Sequence, residues 1–374
     1  MIQGIHLTLM IGSLLPIPAP QAVMDALVSA KVTSGKDRSG FQLTFAVSKR
    51  SPLLTTMLPT GYFDPMVTRV ILIVTMGGFP NVIMDGIVTN QELAPSNEPG
   101  QSTLTITGSD LSVLMNVVQI KRPLPPGEAP QVGMLLLPYL TLGVMPIVVP
   151  PLFMNFPPPP EKIESQTTTD LTHIQMLAER CGYIFYVDPG PQPGQSIAYF
   201  GPNIRISVPQ SALNVNMDAE TNVESLSFSL DGLARELLIL TIMDPLTGKV
   251  PTPIPIPDVN IFQPPLGRRS TPPAKIKFSC NMADDKPPSV LNRVVGRLLK
   301  GSNNAITASG TLNVLRYGHV LRSRLLVGVR GAGVAYDGLY YVDSVTHDLK
   351  RGEYKQSFQL SRDGLISNTP KVPV

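Results

Sequence analysis

Thirty-nine prolines and 30 glycines are spread along these 374 residues, and that spacing excludes a fold built on long helices. Proline removes a backbone donor and clashes with the preceding turn, while glycine weakens a helix through backbone entropy. Short strands, turns and Pro-rich loops remain. The length predicts two or three domains, because a single core stops growing near ~250 residues. Hydrophobic residues at 43% supply those cores, whereas charged residues reach only 15%, against roughly 25% in an ordinary soluble domain. Much of the surface is therefore uncharged, which suits burial against partners.

The formal charge of +3 comes without any run of basic residues, so nucleic-acid sequence recognition is not expected. Cys181 and Cys280 lack CxxC spacing, and His6, His173, His319 and His347 are scattered, so neither a metal nor another cofactor is expected. Cys181 falls in a helical apolar pattern and is expected to be a core thiol. The run Gly328 to Gly333 has no following Lys-Ser/Thr, Gly35-Lys36 lacks the glycine spacing of a phosphate loop, and both are expected to be turns. Asp284-Asp285 and Asp337 have no histidine or second acid placed to help them, and no GxSxG, HExxH or Cys-His pattern occurs. His173 and His347 are expected to be structural or surface residues. No catalytic residues are assigned, and the chain is expected not to be an enzyme.

Two stretches imitate membrane or export signals. Ile5 to Leu15 is apolar, but no Lys or Arg precedes it, so a removed signal peptide is not expected. Residues 132–156 carry no charge and are long enough to cross a bilayer. Pro138, Pro146, Pro150 and Pro151 interrupt any helix there, so stable membrane insertion is not expected. A membrane-associated β-rich protein anchored through 132–156 is the alternative reading.

Along the chain, Phe41, Leu43, Phe45 and Val47 alternate with small or polar residues, as do Leu104 and Ile106 with threonines; both patterns predict strands with one face on a core. Val70 to Val74 is continuously apolar and predicts a strand buried on both faces. Val82 to Val88 contains Asp85-Gly86, a turn or bulge signal. A helix is predicted from Asp170 to Cys181, capped by Thr169 or Asp170, with Leu171, Ile174, Leu177, Ala178 and Cys181 on one face and Gly182 as the stop. A hairpin follows it. Strands are predicted at Val223 to Ser229 and Leu237 to Met243, a helix over Val290 to Leu299, and a closing hairpin whose faces are Val345, His347, Leu349 and Tyr354, Gln356, Phe358, Leu360, with a bulge between Val342 and Val345.

At this point the residues resemble the phage late-control protein D family, the hub proteins of contractile tails, which are also similar to the hub half of the type VI secretion spike. The resemblance rests on TDLTHIQMLAERCGYIFYV (169–187) and YDGLYYVDSVTHDLKRGEYKQSFQLSRDGL (336–365), with further support from SGFQLTF (39–45) and STLTITGSDLSVLMN (102–116). It implies a mainly β fold with some α (α+β): two tube-protein-like β-barrels with an inserted small α/β domain and Pro-rich connectors. The expected division is 1–118 for the first barrel, 119–221 for the connector and inserted domain, and 222–374 for the second barrel, with a Pro-rich excursion at 251–285.

The function so implied is a structural baseplate hub, a homotrimer that adapts a six-fold tail tube to a three-fold spike. Its expected partners are the tube protein above, a separate spike protein below, other baseplate or wedge proteins, and a tape-measure protein in the lumen. The expected location is a virion tail or phage-like injection particle assembled in the bacterial cytoplasm. Only a short tail follows Arg362, so spike and wall-degrading functions are expected on other polypeptides. The candidate interface residues are Tyr139, Val148, Phe153 and Phe156 in the uncharged Pro-rich segment, Arg322, Arg324 and Arg330 in the second barrel, and Lys355 and Gln359 on the outer face of the final strand.

Overall fold

A computed structural model describes residues 4–13, 16–35, 39–98, 100–151, 165–243, 251–256, 260, 262–280, 295–296, 298–300 and 304–369. The first part of the chain is a run of strands: β1 (Ile5–Gly12), β2 (Ile17–Pro18), β3 (Leu27–Ser34), β4 (Ser39–Ala46), β5 (Arg69–Met76), β6 (Phe79–Ala94) and β7 (Thr103–Asp110). Alternation drives these elements. Phe41, Leu43 and Phe45 of β4 and Leu104 and Ile106 of β7 are buried, with half-exposed or exposed residues between them. On β5 both faces are covered: Val70, Leu72 and Val74 lie in the main core, and Ile71 and Ile73 pack with Val82 in a smaller cluster.

A middle segment carries β8 (Arg122–Pro123), β9 (Val144–Val148), β10 (Ser165–Gln166), β11 (Ile184–Pro189) and β12 (Ser196–Gly201). Two helices, Glu128–Leu136 and Asp170–Cys181, pack with them on a second core that includes Leu135, Leu171, Ile174, Leu177 and Phe200. The second helix begins where the Thr169 hydroxyl accepts a hydrogen bond from the Thr172 amide (3.3 Å) and stops at Gly182, whose φ of 69° is left-handed. The uncharged stretch does not form one helix across its described part. Residues 128–136 are helical, 137–142 form a short helical turn, and 144–148 are strand. Among the described residues no helix is long and apolar enough to cross a membrane.

The last part contains β13 (Gln210–Asn214), β14 (Val223–Leu230), β15 (Glu236–Met243), β16 (Pro251–Ile256), β17 (Gly267–Ser270), β18 (Lys275–Cys280), β19 (Ile306–Asn313), β20 (Leu326–Arg330), β21 (Gly338–Lys350), β22 (Glu353–Arg362) and β23 (Gly364–Ser367). Pro-rich 251–256 is a strand laddered on β15, which also pairs with β18, and β17 pairs with β23. β13, which falls within 119–221, ladders with β20. The predicted helix over 290–299 lies mostly outside the described residues, as do Lys36 and Asp284-Asp285.

The principal sheet runs β14-β19-β22-β21-β3-β4-β7-β6-β5-β1-β2, with β20 and β13 attached beside β21. Its two halves repeat one unit. In the first, β3 and β4 lead to a helical segment, Leu53–Met57, then to left-handed Gly61 and Met66, then to β5, β6 and β7. In the second, β14 and β19 lead to a helical turn, Val314–Tyr317, then to left-handed Gly318 and Arg324, then to β20, β21 and β22. The likeness extends to single hydrogen bonds. Met66 N–H donates to the Val88 carbonyl (2.7 Å) and Arg324 N–H to the Val342 carbonyl (2.8 Å), and the β6–β7 and β21–β22 ladders slip register just after those same two valines. Lateral order also matches, β3-β4-β7-β6-β5 against β14-β19-β22-β21-β20. The two units meet where β21 pairs antiparallel with β3, so their strands form one open path, and the main core draws on both.

One expectation fails in part. Asp85-Gly86 is not a turn but lies within the 16-residue β6, whose ladder with β5 slips register just before it, between Val82 and Met84. Asp85 is buried as an ion-pair partner, and Gly86 is required because a Cβ there would sit 2.3 Å from the Ser109 carbonyl oxygen.

Candidate assembly interface

Strand alternation leaves one face of the principal sheet towards solvent, and register lines up its side chains. Ser225, Thr311, Ser357, Thr346 and Thr33 lie opposite one another on successive strands from β14 to β3, and the row continues through Gly40 to Ser109. A parallel row holds Ser227, Ser309, Gln359 and Ser344. Hydroxyls bridge several neighbours: Ser225 to Thr311 at 2.8 Å, Ser227 to Ser309 at 3.0 Å, and Thr33 to Thr346 at 3.3 Å. These side chains can hydrogen-bond to one another or to water, which leaves the face polar and wet.

Several charges on this face are paired. Lys355 reaches Glu224 (3.2 Å) and Glu353 (3.0 Å), and Lys31 lies opposite Asp348, which also meets Lys350 (3.4 Å). Both side chains assigned to the final strand, Lys355 and Gln359, thus belong to one continuous polar surface. Sequence reasoning missed the rest of it, although the signal was present as Ser or Thr at every second position: 225, 227 and 229; 307, 309 and 311; 103, 105 and 107.

Buried ion pairs hold the middle segment against the sheet. The Arg69 guanidinium donates to both Asp85 carboxylate oxygens at 2.7 Å and to the carbonyls of Leu142 (2.8 Å) and Gly194 (3.0 Å), and the Ser196 hydroxyl also donates to Asp85 (3.0 Å). Arg324 does the same from the second unit. It donates to Asp188 at 2.7 and 2.5 Å, lies over the Tyr186 ring 4.0 Å from its centroid, and also meets the Gly35 carbonyl. Burial raises the Asp188 carboxyl above its ordinary value, against the opposing pull of Arg324. Arg324 is therefore an internal clamp.

The other candidates are dispersed. Tyr139 donates its hydroxyl to Asp170 (3.0 Å), which also accepts from Arg122 (2.9 Å), and Val148 packs on the second core. Arg322 is exposed and donates to Asn81 (2.8 Å) in the first unit, while Arg330 ends β20, half-buried. Phe153 and Phe156 lie outside the described residues. The uncharged segment does present Met134, Leu137, Leu140, Met145 and Ile147 to solvent, between 38% and 59% exposed. Exposed apolar side chains in such number make this segment a candidate contact surface.

His173 and His347 are internal, whereas His6 and His319 are exposed. His173 bonds the Gln131 side chain (3.1 Å), and His347 bonds the Tyr354 hydroxyl (2.7 Å) and Gln356 (3.3 Å). Burial, aided by the charge of Arg322, lowers the His347 imidazole to about 3, so it stays neutral. Burial also pushes the Cys181 thiol up to about 12, which makes it a poor nucleophile. Among the described residues no group of three or more His, Cys, Asp or Glu side chains is placed to hold a metal.

No known protein-family profile matches this sequence, and no curated protein sequence matches it. Solved structures do match in fold. The tail protein from Neisseria meningitidis is similar with a TM-score of 0.60 at 14% identity, over 97% of this chain and 98% of that one. The 43 kDa tail protein of prophage MuSo2 from Shewanella oneidensis is similar with a TM-score of 0.57 at 13% identity, over 96% and 98%. An E. coli protein, c3393, described as a type VI secretion component similar in structure to T4 phage tail proteins, gives 0.51 at 10% identity, over 93% and 78%. The chain therefore has a fold found in phage tail and type VI secretion proteins.

Proposed function

We infer that this chain is a non-catalytic structural hub of a contractile phage tail or phage-like injection particle. Three copies would carry six like units in a ring, matching a six-fold tube on one side and a separate three-fold spike on the other. The observation that carries this reading is the internal repeat: two units of the same strand order, joined side by side through β21 and β3. Closed assemblies need matching symmetry at each junction, and two like units per chain are what a trimer requires to meet a hexamer. The whole-chain likeness to tail proteins supports the same reading. Late-control protein D is the family whose motifs it resembles.

The polar face of the sheet suits a lumen through which a tape-measure protein or other cargo passes without sticking. The exposed apolar residues of the middle segment suit contacts with wedge or other baseplate proteins. Light scattering on the purified chain and on chain mixed with assembled tube tests this reading. A particle of three 40.4 kDa chains that binds tube ends is expected. A strict monomer with no affinity for tube would overturn it.

A further inference from the structure

Two cavities border the short β17–β23 ladder, and Arg268 lines both. The first, of 490 Å³, also presents Arg205, Arg235, Gln263, Asp363 and Asn368. The second, of 600 Å³, also presents Arg330, Asp337, Val334 and Ile366. Four arginines stand there against two aspartates, a local excess of +2. The whole chain carries only +3, so this cleft is a concentrated basic site.

The arginines are held in place but not neutralised. Arg205 donates through Nη1 to Asn304 Oδ1 (3.0 Å) and lies over the Tyr341 ring, 4.6 Å from its centroid. Its Nη2 makes no hydrogen bond, and its Nε is buried with no acceptor. Those two groups form the edge of a guanidinium that matches a carboxylate bidentately. Burial lowers the Arg205 guanidinium from its ordinary value, opposed by the charges of Asp343 and Asp363. Arg330 Nη1 is likewise buried with no acceptor, and neither Arg330 nor the exposed Arg268 makes an ion pair among the described residues. The lining aspartates are engaged by main-chain amides. Asp363 Oδ1 accepts from Leu266 (2.8 Å) and Gly267 (3.1 Å), and Asp337 Oδ1 accepts from Ala332 (2.7 Å). A buried guanidinium N–H without an acceptor costs stability that an incoming oxyanion restores.

Unused acceptors lie beside these donors. Gln263 donates its side-chain amide to the Asn203 carbonyl (3.2 Å) and Asn368 its own to the Pro265 carbonyl (2.6 Å), which leaves the two side-chain oxygens without donors. A phosphate ion brings negative charge but no N–H for those oxygens; a peptide brings both. Val334 and Ile366, exposed in the second cavity, add apolar surface for neighbouring side chains. We propose that this cleft binds an acidic peptide segment of a partner protein, its carboxylates on Arg205, Arg268 and Arg330 and its main-chain N–H groups on Gln263 and Asn368. Arginine clusters read acidic segments in this way. One chain supplies the whole site, so it does not depend on how many copies the assembly holds.

The test is fluorescence anisotropy of a labelled six-glutamate peptide titrated with the full chain at low salt. Saturable binding is expected, weakened several-fold by Arg268→Gln and roughly tenfold by Arg330→Gln. Arg268 is exposed and makes no hydrogen bond among the described residues, so its replacement leaves the fold intact. Arg269→Gln removes the same charge from the next residue, which lines neither cavity, and is expected to leave the affinity unchanged. A six-glutamine peptide is expected not to bind. No saturable binding, an equal loss with Arg269→Gln, or displacement by inorganic phosphate as effective as by unlabelled peptide overturns the proposal. So does an Arg268-dependent affinity for a single-stranded DNA oligomer that matches the affinity for the peptide. None of these results alters the expected copy number, which light scattering reads separately.

Discussion

Asp85→Ala removes the acceptor of a buried guanidinium and leaves Arg69 charged in a site where its side chain is 5% exposed. The Arg69 head also spans to the Leu142 and Gly194 carbonyls, so it cannot swing out to water without breaking the joint between β5 and the middle segment. Deleting one member of a buried ion pair costs about 3–5 kcal/mol, chiefly through the uncompensated partner. Total stability of ~5–15 kcal/mol makes that a large fraction. Arg69→Met is expected to cost at least as much, because it leaves the buried Asp85 carboxylate with only the Ser196 hydroxyl and takes the guanidinium from the Leu142 and Gly194 carbonyls. The double variant Arg69→Met with Asp85→Leu should be milder than the sum of the single effects by ~2 kcal/mol or more, as strongly coupled neighbours are. Urea unfolding of the four proteins, extrapolated linearly to water, measures the cycle. A single Asp85→Ala effect below ~1 kcal/mol, or strict additivity in the double variant, would refute the reasoning that this pair fastens the middle segment to the sheet.

Three further outcomes are expected. Gly108→Ala would place a Cβ 2.3 Å from both the Ile87 carbonyl oxygen and the Phe41 ring, and should lower the urea midpoint far more than Gly133→Ala, where nothing lies within 4 Å. Leu177→Asp buries an unpaired charge in the second core and should cost several kcal/mol, seen as loss of soluble or assembly-competent protein; normal incorporation into particles would contradict the assigned helix face. His347 is held neutral, from an ordinary value of 6.5 down to about 3, so below pH 6.5 the unfolded chain takes up a proton that the folded chain refuses. This residue's contribution to stability should therefore fall by roughly 1.4 kcal/mol per pH unit from 6.5 towards 3 and then level off, and His347→Gln should flatten that part of the profile measured by thermal unfolding.

Much of the strand pattern was legible because it depends on alternation alone. The faces of β4, β7 and β22, the two-sided burial of β5, the Thr169-capped helix with its Gly182 stop, and the slip after Val342 all follow from periodicity and cap chemistry. Asp85-Gly86 misled because turn propensity is a local signal. Here the glycine answers a close backbone approach from β7, and the aspartate answers an arginine on β5, both set by pairing between strands. The same limit hid the candidate surface. Lys355 and Gln359 could be placed on an outer face, but their union with Ser225, Thr311 and Thr33 depends on the β21–β3 junction, made by residues some 310 apart in sequence. Arg324 carried a basic surface expectation, yet its left-handed backbone and its pairing with Asp188 turn it inward. Two like units were expected only through the family resemblance and not from the residues themselves, because the units share element order and hydrogen bonds while their sequences diverge.

The central claim, a three-copy hub that presents six like units, is tested most directly by image reconstruction of the assembled tail tip without imposed symmetry. The account predicts three copies of this chain around the axis, between a six-fold tube ring and a three-fold spike. One copy, or six, at that level would contradict it.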